Sequence, residues 1–103
     1  MIILAHCGNG YCGCDNEEVF FFDDFMSEQE INEELLMWAQ ENAESYSYVH
    51  FGWEGEYTEE EYDEYLEEYV DYSWHVATYE EYLDWCYNWN YTPKTEAEIA
   101  EMY

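Results

Sequence analysis

An α+β domain is what this sequence predicts: a small antiparallel sheet in the order β-β-α-β-α-α, with the helices packed on one face. Three observations carry that reading. A short apolar run opens the chain and is followed, across a Gly-rich turn, by a second strand-like run. A Ser or Thr with Glu three residues later stands at four places, each ahead of residues at helical spacing. Between the first two of those helices, a stretch alternates between apolar and more polar residues.

Residues 2–7 (Ile-Ile-Leu-Ala-His-Cys) read as the first strand, and residues 17–23 (Glu-Glu-Val-Phe-Phe-Phe-Asp) as the second. The link from Cys7 to Asn16 holds Gly8, Asn9, Gly10 and Gly13, so the pair reads as a hairpin with a chemically loaded turn. Ser27 and Glu30 then make a capping box. Ile31, Leu35, Trp38 and Asn42 fall on one face of a helix that should run to about Ala43. From Ser45 to Trp53, Val49, Phe51 and Trp53 alternate with Tyr46, Tyr48 and His50, which reads as the third strand. Thr58 and Glu61 open a second helix carrying Tyr62, Tyr65, Leu66, Tyr69, Val70 and Trp74. Thr78 and Glu81 open a third, with Tyr79, Tyr82, Leu83, Cys86 and Trp89. Pro93 breaks the pattern, and Thr95 with Glu98 caps a last turn carrying Ile99 and Met102.

Residues 1–103 suit a single domain. The net charge is −26, from 27 acidic residues against one Lys (Lys94) and no Arg. Such acidity alone would suggest disorder, but disordered chains are poor in aromatics. Here 22% of residues are aromatic, with thirteen Tyr and five Trp, so the chain can bury enough apolar surface to fold. A single cation excludes a basic groove for phosphates and a network of internal ion pairs. Halophilic adaptation would explain the charge, but neither the Tyr content nor the clustering of Gly and Cys. No apolar run is long enough for a membrane span, and Met1 to Cys7 lacks the features of a signal peptide. A soluble monomer in the cytoplasm of a bacterial host is expected.

Cys7-Gly-Asn-Gly-Tyr-Cys12-Gly-Cys14 is the densest chemical signal. A cytosolic compartment opposes disulfides, and four thiolates suit a closed tetrahedral Zn²⁺ site. The expected ligands of a structural Zn²⁺ are Cys7, Cys12, Cys14 and Cys86, with His6 or His50 replacing Cys86 if that thiol is an ordinary core residue. Cys7–x4–Cys12–x–Cys14 is not the common Cys-x2-Cys spacing. Such a site would pin the hairpin onto the third helix.

The second helix shows how the charge is organised. Glu59, Glu60, Glu61, Asp63, Glu64, Glu67, Glu68 and Asp71 take the face opposite the apolar stripe. Over about 20 Å of helix this is roughly one charge per 2.5 Å, against roughly one per 1.7 Å of axis in duplex DNA. Glu80, Glu81 and Asp84 would extend the field along the next helix. Ordinary solvated faces interleave Lys with Glu for i,i+4 support, and this one does not. A DNA mimic that meets the Lys and Arg of a basic partner is the natural reading. The expected contact residues are Glu59, Glu60, Asp63, Glu64, Glu67, Glu68, Asp71 and Tyr72; Tyr57 and Tyr72 fall off the stripe and could stack on Arg.

The stretches 7–15 (Cys-Gly-Asn-Gly-Tyr-Cys-Gly-Cys-Asp), 42–53 (Asn-Ala-Glu-Ser-Tyr-Ser-Tyr-Val-His-Phe-Gly-Trp) and 79–86 (Tyr-Glu-Glu-Tyr-Leu-Asp-Trp-Cys) resemble a family of small acidic phage proteins. That family includes a zinc-containing anti-CRISPR protein directed at a type II Cas9. The resemblance implies host-defence evasion by a Cas9 inhibitor that occupies a basic surface and prevents target DNA from loading. A zinc-stabilised acidic adaptor, or an anti-restriction DNA mimic acting on another basic host protein, is the alternative. Enzymatic function is not expected. No Gly-rich phosphate loop, His-Glu-x-x-His or nucleophile with an evident base is present, and no EF-hand calcium loop. Direct binding to nucleic acid or membrane is opposed by the charge.

Overall fold

The computed structural model describes residues 1–52 and 55–102. Its strands are β1 (Ile2–Gly8), β2 (Asn16–Phe21) and β3 (Asp71–Ala77). Its helices are α1 (Glu28–Ser45), α2 (Ser47–Phe51), α3 (Glu59–Tyr69), α4 (Tyr79–Trp89) and α5 (Glu96–Ala100). The sheet is antiparallel throughout, in the order β2-β1-β3. The α+β class and the opening hairpin therefore stand as expected from the sequence.

β1 is the centre of the molecule. Cys7 pairs with Asn16 on one side and Tyr72 on the other, and Ile2 with Phe21 and Ala77. Alternation along the strand sends Ile3 and Ala5 to one face, where Ile31 and Leu35 of α1 cover them with Phe20, Trp38, Tyr72 and Trp74. Ile2 faces the other way, into a second cluster with Tyr82 and Cys86 of α4, Val19 and Phe21 of β2, and Ile99 of α5. The helices thus cover both faces of the sheet, not one as the sequence reading had it. The unbroken apolar run from Ile2 to Ala5 is the signature of a strand buried on both sides.

The third strand also lies elsewhere. Residues 45–51 prolong the helical path: Tyr46 N–H donates to Asn42 O at 3.2 Å, and Gly52 N–H to Tyr48 O at 2.7 Å. The alternation of Val49 and Phe51 with Tyr46 and Tyr48 is therefore expressed as α2, and Gly52 at φ 83° ends that turn. Trp53, the last residue of the expected strand, lies outside the described residues. The edge of β1 goes instead to residues 71–77, where the sequence reading had continued the second helix. Helix α3 stops at Tyr69, and Val70 is already extended at φ −72° and ψ 124°. From there Tyr72, Trp74 and Val76 alternate with Ser73, His75 and Ala77, an aromatic and β-branched pattern that suits a sheet. Trp74 at helical spacing from Val70 was the misleading signal. Trp74 Nε1–H donates to Asn32 Oδ1 at 2.7 Å and ties β3 to α1.

All four capping boxes form. Ser27, Thr58, Thr78 and Thr95 each accept from the N–H of the glutamate three residues on, whose side chain reaches back to the cap N–H. The radius of gyration is 16.0 Å, against roughly 13 Å for a compact chain of this length, and the extents are 50 × 29 × 17 Å. The molecule is a thin, elongated slab. Among the described residues no helix is long and apolar enough to cross a membrane.

Candidate partner-binding surface

Helix α3 is fixed from beneath by a buried polar and aromatic knot. Tyr65 is buried, donates its O–H to Ala43 O at the end of α1 (2.8 Å), and accepts from Asn9 Nδ2–H at 2.9 Å. Asn9, fully buried in the Cys-rich turn, accepts from Tyr11 N–H through Oδ1 at 3.1 Å. The Tyr11 ring stacks on Tyr69, and its hydroxyl lies 2.6 Å from His50 Nδ1. His50 in turn stacks on Tyr65 with ring centres 4.8 Å apart. Burial pushes the Tyr65 phenol above its ordinary pKa, against the opposing Asn9 bond, so the hydroxyl keeps the proton it donates to Ala43. Tyr62 is raised further, first by burial and then by its hydrogen bond to Glu44.

This knot leaves the acidic side of α3 to solvent. Glu59, Glu60, Asp63, Glu64, Glu67 and Glu68 are all exposed, as expected. With Glu61 they make seven carboxylates in eleven residues, over about 16 Å, or roughly one per 2.4 Å. Ion pairs among the described residues join the N-terminal ammonium to Asp24 (2.7 Å), His6 to Asp15 (3.9 Å) and His75 to Glu81 (3.0 Å). None of these acids lies on α3.

Two expected contact residues are placed differently. Asp71 is exposed but opens β3, paired with Gly8. Tyr72 packs in the α1-side core beside Trp74 and is not part of the α3 face. Tyr57, half-exposed, stacks on Phe51 at 4.2 Å between ring centres.

The expected zinc ligands are not brought together. Among the described residues no group of three or more His, Cys, Asp or Glu side chains is placed to hold a metal ion. Cys7 shares the α1 face of β1 with Ile3 and Ala5, whereas Cys86 sits with Ile2 and Tyr82 on the opposite face. The sheet stands between them. Cys86 is a core thiol of α4, Cys14 is buried, and Cys12 is exposed. Of the two histidines expected as replacements, His6 is paired with Asp15 and His50 belongs to the aromatic knot. Burial pushes the Cys7 thiol up to about 11, with Asp15 and Glu18 adding to the rise and an Asn16 backbone hydrogen bond opposing it. The set of four does not fit a tetrahedral ion. What pins the turn is hydrogen bonding: Asn9 to Tyr65, and Asn42 Nδ2–H to Cys14 O at 3.0 Å. The partner helices are α3 and α1 rather than α4.

No signal short of the fold would have paired Asn9 with Tyr65 across 56 residues. An Asn among glycines reads as a turn former, and its burial follows only once α3 is seated over it. No family model matches the chain, and no curated protein or solved structure matches it significantly.

Proposed function

We propose that this protein is a stoichiometric inhibitor that presents α3 to a basic, nucleic-acid-binding surface and keeps the nucleic acid from loading. The observation that carries this is the row of exposed carboxylates on α3, dense on the scale of duplex phosphates and without a cation among them. Keeping like charges at i,i+4 costs stability, so a face of this kind calls for a compensating use. Lys and Arg that normally hold phosphates would instead meet carboxylates in short, charge-assisted contacts. The resemblance to acidic phage proteins makes type II Cas9 the partner to try first.

The test is affinity for a purified Cas9–guide complex as a function of salt. Binding should weaken by roughly tenfold or more as ionic strength rises from about 0.1 to 1 M, where the screening length drops from about 10 to about 3 Å. Labelled target DNA should be displaced. Affinity indifferent to salt, or DNA left bound beside the protein, would overturn the reading. Replacing Glu60, Glu64, Glu67 and Glu68 with Gln should abolish displacement, and unchanged inhibition would remove α3 from the interface. This reading does not depend on zinc; Cys7 and Cys86 lie on opposite faces of the sheet. Native mass spectrometry should give the mass of the bare reduced chain, and one Zn²⁺ per chain would restore a metal site.

A further inference from the structure

The face of the molecule covered by α4 carries a cleft of about 420 Å³ between that helix and the edge strand β2. Tyr82, Trp85, Trp89 and Tyr91 line it from the helix side, and Glu17 with Val19 from the strand. The backbone builds the aromatic wall. Asn90 ends α4 in the left-handed conformation at φ 62°, which Asn tolerates, and Tyr91 N–H then donates back to Cys86 O at 2.9 Å. That reversal lays the Tyr91 ring flat on Trp85, with centres 5.4 Å apart and planes 5° apart. Trp89 stacks on Trp85 as well, at 5.7 Å and 22°. Three rings therefore share one orientation, and the outer two remain 44% and 59% exposed.

Strand alternation supplies the charge. Val19 and Phe21 point to the α4 face, so Glu17, two residues before Val19, points there too. Glu17 is exposed at the mouth, with His6 as its cross-strand partner, and Lys94, the one Lys or Arg of the sequence, does not line the cleft. Parallel π-faces beside a carboxylate are what a flat cation needs: ring faces attract positive charge, and the carboxylate accepts its N–H groups. A guanidinium meets both requirements, since it is planar, weakly hydrated and stacks on aromatic rings, whereas an ammonium is a compact, strongly hydrated point charge.

We infer that this cleft is a docking site for an Arg side chain of the basic partner, stacked against Trp89 and Tyr91 with its guanidinium on Glu17. The inference deepens the inhibitor reading and rests on the partner being basic. It adds a second contact, on the sheet face opposite α1, that selects Arg over Lys where the α3 field does not.

The probes are nona-arginine and nona-lysine, equal in charge, titrated into the intact protein while the Trp indole N–H resonances are followed by NMR. Nona-arginine should shift the Trp85 and Trp89 signals and bind more tightly than nona-lysine. Trp89→Ala and Glu17→Gln, both at exposed positions, should each weaken nona-arginine about two- to fivefold, as an exposed cation–π contact or ion pair does, and nona-lysine less. Equal affinity for the two peptides, or Trp85 and Trp89 signals that do not move, would overturn the site. So would affinity unchanged in Trp89→Ala. A Trp89→Phe variant guards against a folding artefact, since it keeps a π-face and should retain most of the arginine preference. The two readings fail separately. If Trp89→Ala changes nothing while the α3 glutamine variant loses DNA displacement, the cleft is wrong and the inhibitor stands. If the arginine preference holds but no nucleic acid is displaced, the cleft stands without it.

Discussion

Helices α3 and α4 are each eleven residues long and open on the same Thr-x-x-Glu box, yet they are held by different means. α4 lies on the sheet and buries Tyr82 and Cys86 against Ile2, with Val19 and Phe21 around them. α3 rests on the end of α1 and the Cys-rich turn, through Tyr65 with its two hydrogen bonds and the rings of Tyr11, His50 and Tyr69. α4 carries Glu80, Glu81 and Asp84; α3 carries seven acids. The greater load of like charge thus sits on the helix anchored by directional bonds. Hydrophobic burial tolerates sliding, but a buried hydroxyl with both a donor and an acceptor fixes one register. Repulsion along α3 can then cost stability without displacing the helix.

The largest effect that tests this contrast is on the α4 side. Tyr82→Ala removes a buried ring that meets Phe21 edge-on at 5.5 Å and a hydroxyl that accepts from Lys94 N–H at 2.8 Å. It should cost about 3–5 kcal/mol in urea unfolding, as large core truncations do. A loss below about 1 kcal/mol would mean that α4 is not seated by its apolar face.

Tyr65→Phe makes the complementary cut, keeping the ring and deleting only the hydroxyl. Asn9 Nδ2–H and Ala43 O both lose a partner in a buried setting, so about 1–3 kcal/mol should be lost. The amides of residues 9–14 should gain hydrogen-exchange rate ahead of those of β1. Uniform destabilisation, without early opening of that turn, would deny the turn its dependence on α3.

That pair of bonds also marks the boundary of what could be read from sequence. The four capping boxes were legible because each is a local pattern whose partners lie three residues apart. The apolar face of α1 was legible for the same reason. Residues 45–51 and 70–77 were not, since a short stretch of aromatics satisfies a period of two and one near four at once. Which stretch became β3 was decided by which could reach the free edge of β1. The acids of α3 were legible as a face, but Asp71 and Tyr72 belonged to the strand that followed. The cysteines misled because spacing in sequence carries no information about which side of a strand a thiol takes, and Cys7 and Cys86 took opposite sides.

A smaller effect separates the two helices by charge. In α3 the pairs Glu60–Glu64, Asp63–Glu67 and Glu64–Glu68 repel at i,i+4, each by a few tenths of a kcal/mol. The Gln replacements at Glu60, Glu64, Glu67 and Glu68 should therefore stabilise the free protein by about 0.5–1 kcal/mol at low salt, and less at high salt. The same variant is expected to lose its partner. A gain in stability with a loss of binding is what a functional, strained surface requires; a loss of both would make those carboxylates structural.

The finest distinction lies in the caps. At α4 the Glu81 carboxyl is held below its ordinary range, first by the hydrogen bond from His75 and then by the Thr78 backbone N–H. At α5, Glu98 is lowered chiefly by the Thr95 backbone N–H. A carboxyl depressed in the folded state binds fewer protons there than in the unfolded chain. Its contribution is therefore complete above the unfolded value of about 4.3 and is lost as pH falls through the lower folded value. Acid should fray the starts of α4 and α5 in that window, seen as loss of amide protection at residues 79–82 and 96–99. His75→Gln should move the Glu81 titration, followed by its side-chain carbon resonance, back toward the ordinary glutamate value, while leaving Glu98 where it is. An unmoved Glu81 would show that the backbone cap alone depresses it, and that α4 begins by the same local pattern as α3 with no help from the sheet.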